Sequence, residues 1–238
     1  MNAKERCRHY RKRILEISQT VPALHIGGAF SSVEIIDAIY NELMKPGDTF
    51  VLSKGHAAIL QYVVLEEHGL DVSGYSTGKL CVHPVLGTPG IAATTGALGH
   101  GLAMAVGMAM ADPDHTVYVL MSDGELQEGS TWEAALLASS RDVTNLVVFI
   151  DNNDFQSASR TSHTHPTLYP IVEKWAAFRW AAIEIDGHIN LKAIDTEGRI
   201  AIVCRTVKGR GVSFMEHVPM WHYRSPSPEE YQQALSEL

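Results

Sequence analysis

Val117-Tyr118-Val119-Leu120-Met121-Ser122-Asp123-Gly124-Glu125 is the stretch on which the reading of this chain turns. An unbroken apolar run closed by an Asp-Gly pair describes a strand buried on both faces. The strand delivers Asp123 to its C-terminal end. A second such run, Leu146-Val147-Val148-Phe149-Ile150, leads into Asp151-Asn152-Asn153. The separation, 153 − 123 = 30 residues, leaves room for one crossover helix between parallel strands. One carboxylate and one amide oxygen are then expected side by side at the carboxyl edge of a sheet. Hard cations such as Mg²⁺ or Ca²⁺ take oxygen ligands, and Mg²⁺ is usually held by few protein groups plus phosphates. A helix after Gly129 is expected to aim its N-terminus at the same place, where backbone N–H groups favour an anion. An Asp-Gly pair alone is most often a turn. The second strand, ending in Asn-Asn at crossover spacing, is what favours a metal-bridged diphosphate site.

Outward from these strands the chain alternates helix and strand. An amphipathic helix is expected at about 3–20, with Tyr10, Ile14 and Ile17 facing inward at helical spacing. Ser31-Ser32-Val33-Glu34 reads as a capping signal for a helix through about Met44. Phe50-Val51-Leu52 is a short strand leading to Gly55-His56, with a helix from Ala57. Residues 71–93 read as loop. Gly99 to Ala111 alternates Gly, Ala and Met, a helix small enough in side chain for close backbone approach. A helix at about 130–140 joins the two central strands, and further strands are expected at Ala181–Ile185 and Ile200–Val207. The alternation predicts a single α/β domain over 1–238: a doubly wound parallel sheet with helices on both faces, and ligands beyond the strands' carboxyl ends.

Composition narrows the function classes. The 238 residues are 45% hydrophobic and 19% charged, ordinary for a globular protein, and the net charge of −8 argues against a general nucleic-acid binder. Cys7, Cys81 and Cys204 form no paired framework and fit a reducing, cytoplasmic setting. No stretch approaches a membrane span. The basic N-terminus (Lys4, Arg6, Arg8, Arg11, Lys12, Arg13) lacks a signal peptide's apolar core and reads as a solvated helix face.

The motif segments occur in a familiar order. Leu24-His25-Ile26-Gly27-Gly28, Leu52-Ser53-Lys54-Gly55-His56-Ala57, His83-Pro84, Pro89-Gly90 and Thr94-Thr95-Gly96-Ala97-Leu98-Gly99-His100-Gly101 precede the central motif. Ser122-Asp123-Gly124 then stands where Gly-Asp-Gly is followed, after roughly 25–30 residues, by Asn. Gly124 to Gly129 continues that motif, and Lys208-Gly209-Arg210-Gly211-Val212 with Trp221-His222 closes the set. Nearly the whole chain resembles the N-terminal, diphosphate-binding part of the transketolase family of thiamine-diphosphate enzymes. Ser122 replaces a Gly, Ile26 a Pro and His100 a Gln of the family pattern.

The resemblance implies a thiamine-diphosphate-binding fold of the diphosphate type. It implies Mg²⁺ (or Ca²⁺) held by Asp123, Asn153 and the backbone carbonyl of Phe155. Gly96, Leu98, Gly124, Glu125 and Asn153 are expected to contact the cofactor. Loop histidines His25, His56, His83 and His222 are expected around its reactive carbon and the donor sugar, as catalytic groups. Glu128 matches a residue at the dimer interface that touches the partner's cofactor-activating Glu. His9, His68, His115, His163, His165, His188 and His217 are expected to be structural, and His100 is either a neutral swap or a change in substrate contact.

Family members also carry a pyrimidine-binding domain and a C-terminal domain, for which 238 residues leave no room. They are expected on a separate subunit, with two copies of each chain, a sugar-phosphate substrate, and neither nucleic acid nor membrane as partner. The expected activity is transfer of a two-carbon ketol unit from a ketose phosphate to an acceptor, with two alternatives beside it. One alternative is a 2-oxoacid-dehydrogenase-like or specialised-pathway reaction loading the two-carbon unit onto a lipoyl or carrier-protein acceptor. The other is a non-catalytic regulatory role, against which the intact metal motif and the four loop histidines argue.

Overall fold

Residues 1–80, 82–189 and 191–238 are described by the structure, a computed structural model. Helices are α1 (Ala3–Ser18), α2 (Ile26–Phe30), α3 (Val33–Ala38), α4 (Ala58–Glu67), α5 (Gly101–Ala111), α6 (Gly129–Ser140), α7 (Thr161–Thr164), α8 (Ile171–Ala177) and α9 (Pro228–Glu237). Strands are β1 (Thr49–Leu52), β2 (Val117–Ser122), β3 (Leu146–Asn152), the small hairpin β4–β5 (Phe155–Gln156 and Ser159–Arg160), β6 (Ala181–Asp186) and β7 (Ile200–Arg205). Five of them form one wholly parallel sheet in the order β1-β2-β3-β7-β6.

Strand alternation divides the core. Phe50, Leu52, Tyr118, Leu120, Val147, Phe149, Ile200, Ile202 and Cys204 face one way and pack with α1–α4 and α9. Val51, Val117, Val119, Met121, Leu146, Val148, Ile150, Ala201 and Val203 face the other and pack with α5, α6 and α8. Both faces of a parallel sheet must be covered, which explains why β2 and β3 are continuous apolar runs rather than alternating ones. The doubly wound arrangement expected from the sequence is present. Ser122 is in register with Asp151, so the two motif-bearing strands end together.

Most local expectations are met, and α3 shows how one is redirected. Ser31 and Ser32 do not cap it. Both hydroxyls donate instead to Asp151 Oδ2, at 2.6 and 3.1 Å, because a buried carboxylate makes the stronger acceptor. The helical run is also split, with α2 before α3 and a π turn at Ile39–Leu43 after it. Glu34 pairs with Arg11 at 2.8 Å and with His188 at 3.1 Å. Two further N-terminal basic residues pair inward, Arg6 with Asp37 at 2.7 Å and Arg13 with Glu66 at 3.0 Å, while Lys4 and Arg8 are exposed, as expected of a solvated face. Gly101 opens α5 where an added Cβ would lie 2.7 Å from Ser53 Cα, so the expected close backbone approach occurs at this position. Cys7 and Cys204 are buried free thiols; Cys81 lies outside the described residues. Among the described residues no helix is long and apolar enough to cross a membrane.

Candidate active site

Beyond the carboxyl ends of β2 and β3 lies a cavity of about 290 Å³, walled by Gly28, Gly96, Gly124, Lys208, the Ser122 and Asn153 ends of the motifs, and the Phe155–Ser157 hairpin. Of the residues expected from sequence, His56, His222, Glu128, Gly96, Leu98, Gly124, Asn153 and Phe155 line it. Asp123, Glu125, His25 and His83 do not. The wall is formed by the short 3₁₀ turn Asp123–Gln127 and Glu128 rather than by the first residues of α6.

Asp123 is fully buried below this cavity. Its Oδ1 accepts the Gly124 N–H and its Oδ2 the Asp154 N–H, both at 2.8 Å. Burial, then the charge of Asp151, pushes its carboxyl up to about 7. A buried carboxylate that pairs with no cationic side chain among the described residues invites a bound cation. Asn153 donates its Nδ2–H to Asp151 Oδ2 at 2.8 Å, while its Oδ1 accepts the Phe155 N–H at 3.0 Å. Its amide oxygen is thereby oriented away from Asp151. Among the described residues no three His, Cys, Asp or Glu side chains cluster as a metal site. Any cation here rests on one carboxylate plus amide and carbonyl oxygens, the donor set of a hard ion that keeps other ligands.

Under Asn153 sits a buried polar hub. Asp151 also accepts from Lys54, Ser31, Ser32 and Thr206, and Lys54 donates to Gly28 O and Ser32 Oγ at 2.8 Å each. Burial alone would raise the Asp151 carboxyl; Lys54 and these hydrogen bonds outweigh it and hold the group below its ordinary value. Glu125 is a second brace. It accepts from Ser53 Oγ at 2.5 Å, Gly99 N at 3.0 Å and Ser122 N at 3.1 Å. Its contacts tie the Gly96–Gly101 loop to the motif turn instead of facing the cavity.

The four histidines converge on His25, whose ring lies 5.3 Å from His56, 6.2 Å from His83 and 5.0 Å from His222, centroid to centroid. Burial, then His222, lowers His25 to about 4. Burial, then Lys208, lowers His222 to about 4. Burial, with Lys54 next, holds His56 well below its ordinary value, and burial lowers His83. At neutral pH all four rings are uncharged, able both to donate and to accept. Gly96, at φ +137°, makes the packing possible, since a Cβ there would meet His83 Cδ2 at 2.8 Å.

Lys208 heads the last motif segment but has no role assigned to it from sequence, and it lines the cavity with 2% of its surface exposed. Its Nζ lies 3.4 Å from His222 Nδ1. Burial, then Lys54, lowers its ammonium to about 8, the mark of a cation short of an anion. The Lys208-Gly209-Arg210-Gly211 string and Lys54 beside His56 were the available signals for these two lysines.

Residues 23–218 match the family described as "Transketolase, thiamine diphosphate binding domain". The chain is 38% identical to an apulose-4-phosphate transketolase subunit from Phocaeicola vulgatus, over 96% of this chain and 90% of that protein. It is 36% identical to a 6-deoxy-6-sulfo-D-fructose transketolase subunit of a Clostridium species, over 96% and 93%. The solved transketolase from Leishmania mexicana superposes with a TM-score of 0.88 at 26% identity, covering 98% of this chain and 41% of that one.

Proposed function

The chain belongs to the transketolase family and carries its thiamine-diphosphate-binding domain, and from that premise we propose that it is the diphosphate-binding subunit of a two-chain transketolase. It moves a two-carbon ketol unit from a ketose phosphate to an acceptor. The observation that carries this reading is a glycine-walled cavity placed between a cation-deficient carboxylate, a buried lysine and a cluster of uncharged histidines. Relatives named for apulose 4-phosphate and 6-deoxy-6-sulfo-D-fructose support a ketose bearing an anionic group.

Asp123, Asn153 and the Phe155 carbonyl would hold Mg²⁺ or Ca²⁺, and Lys208 would face the diphosphate's charge. Gly124 keeps the backbone open to close approach. Thiamine diphosphate, when bound, supplies the carbanion-stabilising centre for cleaving the carbon–carbon bond. Uncharged imidazoles of His25, His56, His83 and His222 bind sugar hydroxyls and pass a proton at a hydroxyl oxygen. Glu128, exposed at the rim, is assigned to the contact with the partner chain.

That partner supplies the pyrimidine-binding and C-terminal domains, with this chain as a single diphosphate-binding domain and two copies of each chain in the assembly. Apolar residues left in water on the paired helices α5 and α6 support a large contact there: Met110 is 48% exposed, Leu136 55% and Leu137 44%. Buried free cysteines are consistent with a cytoplasmic setting. The test is ketol transfer from a ketose phosphate, with Mg²⁺ and cofactor, by this chain alone and with its partner. Turnover is expected only from the pair; robust turnover by the lone chain overturns the two-chain reading.

A further inference from the structure

Tyr223 stands on the solvent side of the histidine cluster. Its side chain is 57% exposed, yet its ring centroid lies 4.7 Å from that of His25. The three other histidines sit at 5.0, 5.3 and 6.2 Å from the same ring. Its hydroxyl makes no hydrogen bond among the described residues. The backbone on either side of it is held in place. Arg224 is bridged to His25 and donates its N–H to Leu24 O at 3.3 Å. The Arg224 guanidinium sits 4.3 Å over the Trp221 ring and pairs with Glu230 at 2.5 Å. Trp221, 2% exposed, anchors the other side by donating its indole N–H to Phe214 O at 3.1 Å.

A large aromatic ring thus lies largely in water beside the central histidine, tilted 45° to its imidazole, with its hydroxyl unpaired among the described residues. An aromatic ring buries large apolar area when covered, and its hydroxyl seeks a partner. A sugar chain offers both counterparts, C–H faces for the ring and hydroxyls for the phenol. We propose that Tyr223 is a specificity-determining residue of the sugar site: it caps the His25 end of the cluster and limits how long an acceptor can lie along His25 and His222. This rests on the ketol-transfer reading for its substrate class. Removing the ring lengthens the site; removing only the hydroxyl does not.

The test uses the assembled two-chain complex loaded with Mg²⁺ and thiamine diphosphate. Tyr223→Ala and Tyr223→Phe are compared with wild type on aldose phosphates of three, four and five carbons. Two readouts are taken: kcat/KM with one fixed donor, and calorimetric affinity of each aldose phosphate with no donor present. Tyr223→Ala is expected to shift the five-to-three-carbon ratio upward by about 10-fold in both readouts, the scale of opening a site by one or two carbon groups. Tyr223→Phe is expected to hold the wild-type ratio within about twofold. A uniform change across the series overturns the proposal, as does an unchanged ratio accompanied by weaker association of the two chains, which assigns the ring to their contact. If binding ratios shift while wild type shows no turnover, the ketol-transfer reading falls and the role of Tyr223 in binding stands. If turnover is normal and the ratios do not shift, only the Tyr223 assignment falls.

Discussion

Below the cavity, Asp151 takes hydrogen bonds from Ser31, Ser32, Lys54, Asn153 and Thr206 and has no surface exposed. In the histidine cluster, His25 keeps a buried Nδ1 with no partner among the described residues, and the rings around it touch mainly one another. The two regions treat polarity in opposite ways. The floor saturates its carboxylate with internal donors, which holds the Asn153 amide in one orientation. The histidine end leaves hydrogen-bonding capacity unused, as a site must if it is to receive a ligand's hydroxyls. On the reading proposed above, holding and reacting fall to separate neighbourhoods of one sheet edge.

Substitutions at the two ends are therefore expected to fail differently. At the histidine end, His56→Ala and His83→Ala should lower turnover of the assembled enzyme by roughly 10²–10⁴ if these groups act in proton transfer. Cofactor affinity, measured by calorimetry on the same proteins, should stay near wild type. Near-normal rates in both variants would return the histidines to a structural role. At the floor, Asp151→Ala should unfold rather than merely inactivate. Stranding the Lys54 ammonium without its carboxylate is expected to cost about 3–5 kcal/mol in a denaturant titration. A loss below about 1 kcal/mol would mean that water enters and solvates the lysine, and that the floor is not dry.

Asp123 lies on the boundary and sharpens the contrast. Asp123→Asn should weaken Mg²⁺-dependent thiamine diphosphate binding by about 100-fold or more. In chelator it should leave the fold as stable as wild type, or more so, at pH above the raised carboxyl of about 7. Equal cofactor affinity in Mg²⁺ and in chelator for the wild type would remove the cation from the scheme. The smallest effect concerns pH. His25 and His222 titrate near 4 in the folded chain, against about 6.5 when unfolded. Between those values the unfolded chain binds more protons. Their contribution to stability is therefore full above about 6.5 and is lost as pH falls toward 4. Melting curves of wild type and the double variant His25→Gln/His222→Gln should converge or cross on acidification through that window. Parallel curves would show that neither ring is depressed.

Much of the fold was legible because it depends on local pattern. The continuous apolar runs at 117–121 and 146–150 announce strands covered on both faces, and their 30-residue spacing announces the crossover. The positions of Asp123 and Asn153 follow directly, since a parallel pair in register ends its strands together. Glycine-rich loops carrying His25, His56 and His83 were likewise visible as places where chain direction changes near the sheet's carboxyl edge.

What sequence alone decided is therefore where the five sheet strands and the helices α1, α4, α5 and α6 run, and which polar residues stand at their ends, whereas α7 to α9 and the β4–β5 hairpin carried no such pattern. Only the tertiary structure decided which of those residues meet. Ser31 reaches Asp151 across 120 positions and Lys54 reaches it across 97. Glu125 turns from the cavity to brace Gly99, and Tyr223 comes to rest on His25. Periodicity reports how often a side chain faces the core, but it carries no information on what lies opposite. A buried polar group is held by a partner on another element, and that partner is fixed only when the helices have packed onto the sheet.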